Sequence, residues 1–459
     1  MKRILVTLLA AGVVFCGSAH AQSKPDAGVA ARIRAYLAPF AATGNLTGTV
    51  LVARKGQILF EQSYGMANYG WQIPNSSTTR FRIASVSKIF TAAAILQLQE
   101  QGRLQVSDSI ARYLPDFPNA ERITLDSLLT QASGIPDINS LDDYDTFARS
   151  PHTLAQLIAK FAGLPLQFAP GSQARYSNSN YILLAMIIEK VSGQSYGDYL
   201  ATHVFAPCAL QATGHDGNAS RIISSAASGY EPFELTGYKN APYIDWSNKT
   251  GSGSLYSTAG DLLRFNGALH SGKILSDATR KKYYVEGEDN TYGWYFRTLA
   301  GRPVMSGKGR GWGFAAEMDY FPEEGVTIIL LSNSQSTVTQ DPIPAALAAI
   351  VFGKEPPKPP VLSVAPMAQA DLASYAGEYQ YGADFFSPSQ KFTLRPQSGF
   401  LVMQRGDAES PLVPAGRDEF IERRFFGSIK IIRDAQGKVT GLVTRYGSRD
   451  FTAKKIEPK

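Results

Sequence analysis

The run of prolines that begins at position 356 is the feature that most constrains how this chain can fold. It reads Pro356-Pro357-Lys358-Pro359-Pro360. Proline has no backbone N–H and a fixed φ, so this run cannot continue a helix or a central strand and acts as a semi-rigid spacer. We therefore predict a linker at 356–360 between a domain at 22–355 and a second domain at 361–459. A chain of 459 residues, 44% of them hydrophobic, can build a core in each.

Strand patterns lie at both ends of the longer segment, and helix patterns lie between them. Residues 47–53 and 57–64 have the pattern of two strands joined by a short turn, and 313–321 and 326–332 repeat it near the linker. Apolar runs with helical spacing fill the middle. This order predicts an α+β fold in which one antiparallel sheet is covered by helices.

Short strand-like runs recur between turns after the linker. This pattern is typical of a small all-β domain, either a barrel or a sandwich, and we find no catalytic constellation in it. The predicted strands are 376–381, 392–395, 400–404, 420–423, 429–433 and 440–445.

The first 21 residues have the pattern of a secretory signal peptide. Lys2 and Arg3 precede an apolar stretch at 4–15, and Ala19-His20-Ala21 is a small-x-small cleavage site. The apolar stretch is too short to span a bilayer. We predict cleavage after Ala21, no transmembrane anchor, and an exported protein that is periplasmic or secreted.

Charge and cysteine content argue against several function classes. The net charge of +6 includes Lys2 and Arg3, and no acidic residue precedes position 22, so cleavage leaves +4. A charge that small argues against nucleic acid as a partner. After cleavage Cys208 is the only cysteine, and the scattered histidines lack zinc-ligand spacing. We therefore predict no disulfide, no metal and no cofactor.

Ser85 stands three positions before Lys88 at the start of a long, alanine-rich apolar helix pattern. Residues at i and i+3 share a helix face, which brings the lysine amine beside the serine hydroxyl. The N–H groups of a first helical turn lack partners inside the helix and favour a developing oxyanion. We predict Ser85 as nucleophile and Lys88 as its base, against the alternative of a helix cap and a solvated lysine.

A second candidate element is Tyr176-Ser177-Asn178, in which the first and third side chains point the same way along an extended turn. We predict that the phenol of Tyr176 relays a proton near Ser85 and Lys88, and that the Asn178 amide holds a substrate carbonyl. The alternative is a surface turn in which Asn178 caps the following helix.

The segment Gly193-Gln194-Ser195-Tyr196-Gly197 fits the nucleophile-elbow pattern, but that elbow requires a strand before the serine. A helix pattern precedes this serine. We predict that Gly193 ends one helix and that Ser195 caps the next.

Five stretches resemble, in their order and spacing, the serine β-lactamase and penicillin-binding-protein superfamily. They are most similar to its class C-like branch, which contains β-lactamases, D-Ala-D-Ala carboxypeptidases, D-aminopeptidases and esterases. The resemblance covers about residues 30–350, and the tail at 361–459 resembles the lipocalin-like domain often appended to such hydrolases. The stretches are Phe81-Arg82-Ile83-Ala84-Ser85-Val86-Ser87-Lys88; Leu128-Leu129-Thr130-Gln131-Ala132-Ser133-Gly134-Ile135-Pro136; Phe168-Ala169-Pro170-Gly171 with Tyr176-Ser177-Asn178; Ser257-Thr258-Ala259-Gly260-Asp261; and Gly313-Phe314 before Pro322 and Ser332-Asn333.

The resemblance implies a two-step acyl transfer. Ser85 attacks a carbonyl and holds the acyl group, Lys88 and Tyr176 pass its proton to the leaving group, and a water then releases the acid. Burial of Lys88 is required to lower its pKa toward the working pH. The implied substrate is a β-lactam, a D-amino-acid peptide, including one derived from peptidoglycan, or an ester. The alternatives are a carboxylesterase with little β-lactam activity and a penicillin-binding or sensor protein that does not turn over.

The sequence departs from the family at its third motif. The family usually has His-x-Gly or Lys-x-Gly on the edge strand that faces the serine. The usual spacing places Gly307-Lys308-Gly309 there, and a loop two residues longer places Met305-Ser306-Gly307 there. Lys308 is the candidate substitute for the missing cation, and Arg310 is the candidate partner of a substrate carboxylate. In the alternative interpretation both are solvated loop cations. A backbone N–H of this strand is expected as the second oxyanion donor, and Gly309 is a candidate substrate-binding residue.

Gln131 stands where many relatives have His, and we interpret it as a change behind the reacting groups.

Overall fold

A computed structural model describes residues 27–284, 291–406, 408–447 and 449–456 of the chain. The predicted signal peptide at 1–21 lies outside these residues. Within them, no helix is both long and apolar enough to cross a membrane.

The described residues before the linker form what we call the helix-and-sheet domain. Its helices are α1 Ala27–Ala42, α2 Ser87–Glu100, α3 Leu125–Leu129, α4 Tyr144–Phe147, α5 Leu154–Phe161, α6 Asn178–Ser192, α7 Tyr196–Leu200, α8 Ala259–His270, α9 Asp277–Tyr283 and α10 Pro342–Val351. Its strands are β1 Gly48–Arg54, β2 Gln57–Tyr64, β3 Met66–Asn68, β4 Ile73–Pro74, β5 Phe81–Arg82, β6 Gly214–His215, β7 Tyr230–Phe233, β8 Gly237–Asn240, β9 Leu255–Ser257, β10 Tyr295–Leu299, β11 Arg302–Gly311, β12 Phe314–Phe321 and β13 Val326–Ser332.

The main sheet joins the two ends of this domain. Its strand order is β10-β11-β12-β13-β1-β2, and every neighbouring pair is antiparallel. Because side chains alternate between the faces of a strand, Val50 and Val52 belong to the core beneath α1 and α10, whereas Leu51 and Ala53 belong to the core that contains α2. The predicted α+β architecture is confirmed.

Helix α2 lies inside the larger core rather than on its surface. Every residue from Ser87 to Leu98 is buried, and α6 packs against the helix. A helix buried all round needs small or apolar residues on every face, which its alanines and leucines supply. Lys88 near its first turn is therefore enclosed by protein.

The described residues after the linker form a closed barrel preceded by a short helix, α11 Gln369–Tyr375. The sequence left a barrel and a sandwich open, and the pairing of the first strand with the last decides for the barrel. Its strands are β14 Gly377–Tyr381, β15 Lys391–Gln397, β16 Phe400–Arg405, β17 Ala408–Gly416, β18 Glu419–Glu422, β19 Ser428–Arg433, β20 Val439–Tyr446 and β21 Arg449–Lys455.

Sequence patterns missed β17 and β21. Pro411 and Pro414 lie inside β17, and proline normally argues against a strand interior. Strand β21 carries Arg449, Asp450 and two lysines, so its alternation of apolar and polar residues is weak.

One buried arginine, Arg423, hydrogen-bonds the barrel to the helix-and-sheet domain. The Arg423 guanidinium donates to the Asn45 side-chain oxygen at 3.1 Å and to the Gly44 carbonyl at 2.6 Å. It also donates to three carbonyls of the β7–β8 turn at 2.8–3.0 Å, those of Phe233, Glu234 and Gly237. The Gly44 carbonyl also accepts from the Tyr238 hydroxyl at 2.5 Å. One guanidinium therefore joins two segments of the helix-and-sheet domain to the barrel through five hydrogen bonds, which holds the two parts in one arrangement.

We expect Arg423→Leu to lower the free energy of unfolding by about 2–5 kcal/mol, because it removes five hydrogen bonds of a buried guanidinium. Urea-induced unfolding followed by tryptophan fluorescence measures the change. Arg445→Leu is the matched control: this exposed barrel arginine pairs with Asp450, and we expect a loss of about 0–1 kcal/mol. Equal losses of unfolding free energy in the two variants would show that Arg423 does not stabilise the contact between the barrel and the helix-and-sheet domain.

Candidate active site

Ser85 lies in a single 3-10 turn, Ala84–Val86, between β5 and α2. Ala84 has φ +44°, a left-handed conformation that residues other than glycine seldom adopt. Such a residue at a turn before a helix marks a locally strained backbone, of the kind that is concentrated at functional sites. Ser85 therefore lies in a constrained turn, two residues before α2 begins at Ser87.

The Lys88 amine makes three hydrogen bonds inside the core. It donates to Ser85 Oγ at 3.0 Å, to Asn178 Oδ1 at 2.9 Å and to the Ser252 carbonyl at 2.7 Å. Burial lowers the pKa of Lys88 to about 7, although the nearby Asp137 carboxylate acts in the opposite direction. Near neutral pH a large fraction of this amine is thus uncharged and can accept a proton.

The partners of Lys88 also determine where its lone pair points. A carbonyl oxygen accepts hydrogen bonds and cannot donate them. The amide of Asn178 is oriented with its oxygen toward Lys88, because its Nδ2 donates to the Asp137 carboxylate at 3.1 Å and 3.3 Å. Of the three partners, only the Ser85 hydroxyl can donate. The lone pair of the neutral amine is therefore directed at the proton that must be removed.

Tyr176 is the third member of what we call the Ser85 cluster, which consists of Ser85, Lys88 and Tyr176. Its hydroxyl lies 2.6 Å from Ser85 Oγ, and its ring centre lies 4.8 Å from Lys88 Nζ. The residue is 37% exposed, because its ring borders the cleft. Burial of the hydroxyl end nevertheless raises the pKa of Tyr176 well above its usual value, and a neighbouring phenol, Tyr295, adds to the rise. The phenol therefore stays protonated at neutral pH and acts as a proton donor or relay.

Gln131 holds the Tyr176 turn in place. Its backbone carbonyl accepts from Arg175 N at 2.9 Å, and its side-chain oxygen accepts from Ser177 N at 3.0 Å and from Asn180 Nδ2 at 2.6 Å. The peptide N–H groups on both sides of Tyr176 are thus bound to one residue. Gln131 lies behind the reacting groups, as we interpreted it from the sequence.

Asn178 begins α6, and both ends of its amide are engaged by the protein. Its role toward a substrate carbonyl stays a prediction, whereas its side-chain oxygen directly accepts a hydrogen bond from Lys88. Sequence reasoning missed Asp137, which accepts from both Asn178 N and Nδ2. Asp137 directly follows the family stretch that ends at Pro136, but no local pattern distinguishes it from a turn residue.

The strand that faces the serine is β11. A Cβ added to Gly309 would lie 2.2 Å from the Ile83 carbonyl and 2.8 Å from Ser85 N, so only glycine allows this approach. The structure thus places Gly307-Lys308-Gly309 at the third motif. A Cβ on Gly307 would lie 2.5 Å from Ile89 Cδ1, the end of a flexible side chain, and 3.7 Å from the Met318 carbonyl, so a side chain there requires Ile89 to move.

The two cationic side chains of β11, Lys308 and Arg310, point to different places. Lys308 Nζ donates to the Gln340 carbonyl at 3.3 Å and lies 3.9 Å from Glu317, outside the cavity that contains Ser85. Arg310 lines that cavity and forms no ion pair among the described residues. Of the two predicted contacts with substrate, the structure brings Arg310 to the serine and turns Lys308 away from it.

The cavity in front of Ser85 holds about 210 Å³ and contains a second buried lysine, Lys249. This amine donates to Asn139 Oδ1 at 2.8 Å and lies 3.8 Å from the ring centre of Trp312. Burial lowers the pKa of Lys249 well below its usual value. Sequence reasoning missed it, although Lys249-Thr250-Gly251 matches a Lys-Thr-Gly pattern, because that pattern is expected on a strand and here it follows a 3-10 turn.

Two other candidates have structural roles. Ser195 caps α7 by accepting from Asp198 N, and Gly193 ends α6 in a left-handed conformation, so the rejection of an elbow serine agrees with the geometry. Cys208 is buried and free. In the part of the chain that the structure describes, no group of three His, Cys, Asp or Glu side chains could hold a metal ion.

Comparison with known proteins agrees with this geometry. The model of the Beta-lactamase family matches residues 29–351. PbpX of Bacillus subtilis (strain 168) is 35% identical over 298 residues, which cover 63% of this chain and 71% of that protein. Penicillin-binding protein 4* of the same strain is 30% identical over 358 residues, which cover 72% and 79%.

Solved structures extend the likeness to the barrel. The octameric penicillin-binding protein homologue from Pyrococcus abyssi superposes with a TM-score of 0.64 over 92% of this chain and 99% of its own, at 21% identity. That likeness shows a shared fold for both parts of the molecule. With the family match and the Ser85 cluster taken together, this chain belongs to the Beta-lactamase family and is a serine hydrolase of that family.

Proposed function

We propose that this chain is an exported serine hydrolase that forms an acyl-enzyme on Ser85. It cleaves an amide or ester bond in a small carboxylate-bearing substrate, a class that contains β-lactams and D-amino-acid peptides derived from peptidoglycan. One observation carries the proposal: Ser85 Oγ lies 3.0 Å from the Lys88 amine and 2.6 Å from the Tyr176 hydroxyl at once. Export rests on the signal pattern at 1–21.

Acylation begins when neutral Lys88 takes the Ser85 proton as Oγ attacks the substrate carbonyl. The carbonyl oxygen becomes an oxyanion, which the Ser85 N–H and an N–H of β11 near Gly309 stabilise. The protonated Tyr176 hydroxyl, which contacts Oγ, gives its proton to the leaving group and is restored from the Lys88 ammonium. The leaving group departs, and the acyl group remains on Ser85.

Water then releases the acid by the reverse proton path. Lys88 and Tyr176 return to their starting protonation states, so the cycle is closed without another titrating group. The free Arg310 guanidinium at the edge of the cavity supports a substrate carboxylate, since guanidinium pairs with carboxylate in a planar, two-bond geometry.

A carboxylesterase is the second candidate. Gly307 replaces the family's cation at the third motif, and Lys308 is bound to the Gln340 carbonyl. Both facts favour an enzyme that recognises the substrate carboxylate weakly and hydrolyses neutral esters. A penicillin-binding protein without turnover is the third candidate, and it is supported by the name that Penicillin-binding protein 4* carries.

Intact-mass measurement after exposure to benzylpenicillin and to 4-nitrophenyl acetate separates these functions. We expect a transient acyl adduct that is absent in Ser85→Ala. Release of hydrolysed penicillin supports the leading proposal, ester turnover alone supports the carboxylesterase, and a lasting penicillin adduct supports a binder. If wild-type and Ser85→Ala behave alike, the acyl-enzyme proposal is wrong.

Tyr176→Phe should slow acylation by about 10²–10⁴-fold, because it removes the relay hydroxyl and keeps the ring. Stopped-flow measurement of the first nitrophenol release gives this rate. Tyr243→Phe is the matched control, since Tyr243 is an exposed phenol outside the Ser85 cluster. A full rate in Tyr176→Phe would contradict the relay.

The acylation rate should rise with pH through a midpoint near 7, because Lys88 acts only after it loses its proton. The Asp137 carboxylate raises the pKa of Lys88, so Asp137→Asn should move this midpoint to lower pH. The pH profile of single-turnover acylation measures both effects, with the exposed Asp142→Asn as control. An unchanged midpoint in Asp137→Asn would argue against Lys88 as the base.

Gly309→Ala should lower kcat by about 10²–10³-fold while the chain remains folded, because the added Cβ pushes β11 away from Ser85 N and opens the oxyanion site. Gly311→Ala on the same strand is the matched control: nothing lies within 4 Å of its added Cβ. Steady-state kinetics with circular dichroism provide the measurement. Equal activity of the two variants would show that the close approach of β11 to Ser85 N at Gly309 is not needed for catalysis.

A further inference from the structure

A second and larger cavity, of about 670 Å³, lies between the open end of the barrel and β11. We call it the mouth cavity and define it by Arg310, Arg405, Arg424, Phe386, Phe425 and Tyr446. Eight-stranded barrels commonly hold one small ligand at this end, and clefts between domains are preferred ligand sites. The mouth cavity can hold a larger molecule than the cavity at Ser85, whose volume is about 210 Å³.

Three guanidinium groups surround one aromatic ring in this cavity. The guanidinium carbons of Arg310, Arg405 and Arg424 lie 4.9 Å, 5.7 Å and 5.8 Å from the ring centre of Phe425. Like charges this close repel one another unless anions lie between them. Burial and the charge of Arg424 both lower the pKa of Arg310, although Glu422 acts in the opposite direction.

The carboxylates of the protein neutralise only part of this charge. Arg405 pairs with Glu422 at 3.1 Å, and Arg424 lies 3.6 Å from Glu231. Arg310 has no carboxylate partner within the described ranges. The lining carries four basic and three acidic side chains, and Glu231 outside the lining pairs with Arg424, so Arg310 is the arginine of the lining that the protein leaves without a carboxylate among its described residues.

Two donors in the lining are also unsatisfied. The Nε atoms of Arg405 and Arg424 are buried and find no acceptor among the described residues. Guanidinium N–H groups only donate, and buried donors are normally paired. Both atoms are enclosed by protein, so these guanidinium groups can reach a carboxylate in the cavity only through their other N–H groups.

Four aromatic side chains also line the cavity: Phe385, Phe386, Phe425 and Tyr446. Phe385 stacks on Tyr381, Phe425 lies 6.1 Å from the Tyr446 ring centre, and Phe386 is 63% exposed at the rim. An exposed large aromatic beside such a cavity favours contact with an apolar part of a ligand. The chemistry of the lining thus combines acceptor-seeking cations with apolar surface.

Arg310 connects this cavity to the reacting groups, because among the residues that the structure describes it alone lines both the mouth cavity and the cavity at Ser85. We propose that the mouth cavity is a second part of the substrate-binding site, which holds a carboxylate and the apolar or aromatic group attached to it while the carbonyl of the same molecule lies at Ser85. This inference rests on the proposed acyl-enzyme function and adds a substrate class to it: acids with an apolar body. The barrel thereby becomes a part of substrate recognition.

Binding to the full-length Ser85→Ala variant tests the site without any chemistry. Isothermal titration compares 4-phenylbutyrate with its neutral amide, 4-phenylbutyramide. We expect the acid to bind at least about tenfold more tightly, as for a charge-assisted hydrogen-bonded pair. Arg310→Gln and Arg424→Gln should each remove this preference, whereas Arg445→Gln, an exposed barrel arginine paired with Asp450, should keep it.

Kinetics on the wild-type chain test the link to the serine. We expect a higher kcat/KM for the mono-4-nitrophenyl ester of glutaric acid than for 4-nitrophenyl butyrate, and a fall of about tenfold in that ratio in Arg424→Gln. Equal binding of acid and amide, or a preference that survives Arg310→Gln, would overturn the proposal. If neither ester is hydrolysed but the acid preference still depends on Arg310, the acyl-enzyme function fails and the anion site stands.

Discussion

The burial of one amine is the constraint on which this site depends. A lysine in water is charged at neutral pH, and a charged amine cannot accept the serine proton. Enclosure of Lys88 within the core lowers its pKa to about 7. The neighbours of Lys88 then determine the orientation of its amine. The Asn178 oxygen and the Ser252 carbonyl accept hydrogen bonds from the amine, so its lone pair points at Ser85. The role of Asp137 follows from this, because its contact with the Asn178 amide prevents the amide from turning round.

The departure at the third motif has a physical consequence. Gly307 and Gly309 lie on the side of β11 that packs against the serine turn and α2, and a Cβ at Gly309 would collide with the backbone of that turn. Because neither glycine carries a charge, a cation for the substrate has to come from elsewhere. Arg310 at the end of the strand and Lys249 from a distant turn both lie in the cavity, and they approach it from two sides. Of the two, Arg310 also lines the cavity at the barrel, which ties recognition of the substrate to the second half of the molecule.

Part of the site could be predicted because its geometry is local. Ser85 stands three residues before Lys88, in the 3-10 turn that leads directly into α2, so short-range backbone geometry brings them together. Tyr176 was identified from a short pattern, but its placement depends on Gln131, which binds the turn through contacts 46 residues apart in the chain. Asp137 and Lys249 were missed. Asp137 is an ordinary turn residue in the sequence, and Lys249 begins a Lys-Thr-Gly pattern that lies outside any strand. Each becomes part of the site only through packing against residues far along the chain.

The sequence by itself determined the division at the proline run, the antiparallel sheet with covering helices, the all-β tail and the serine–lysine pair. These follow from backbone restrictions, residue periodicity and spacing along one helix, which are short-range effects. Tertiary structure decided that the tail closes into a barrel, that Lys308 turns away while Arg310 turns toward Ser85, and that Arg423 joins the two parts. Those outcomes depend on which surfaces meet and which buried donors find acceptors. Such long-range contacts leave no periodic trace in a single sequence.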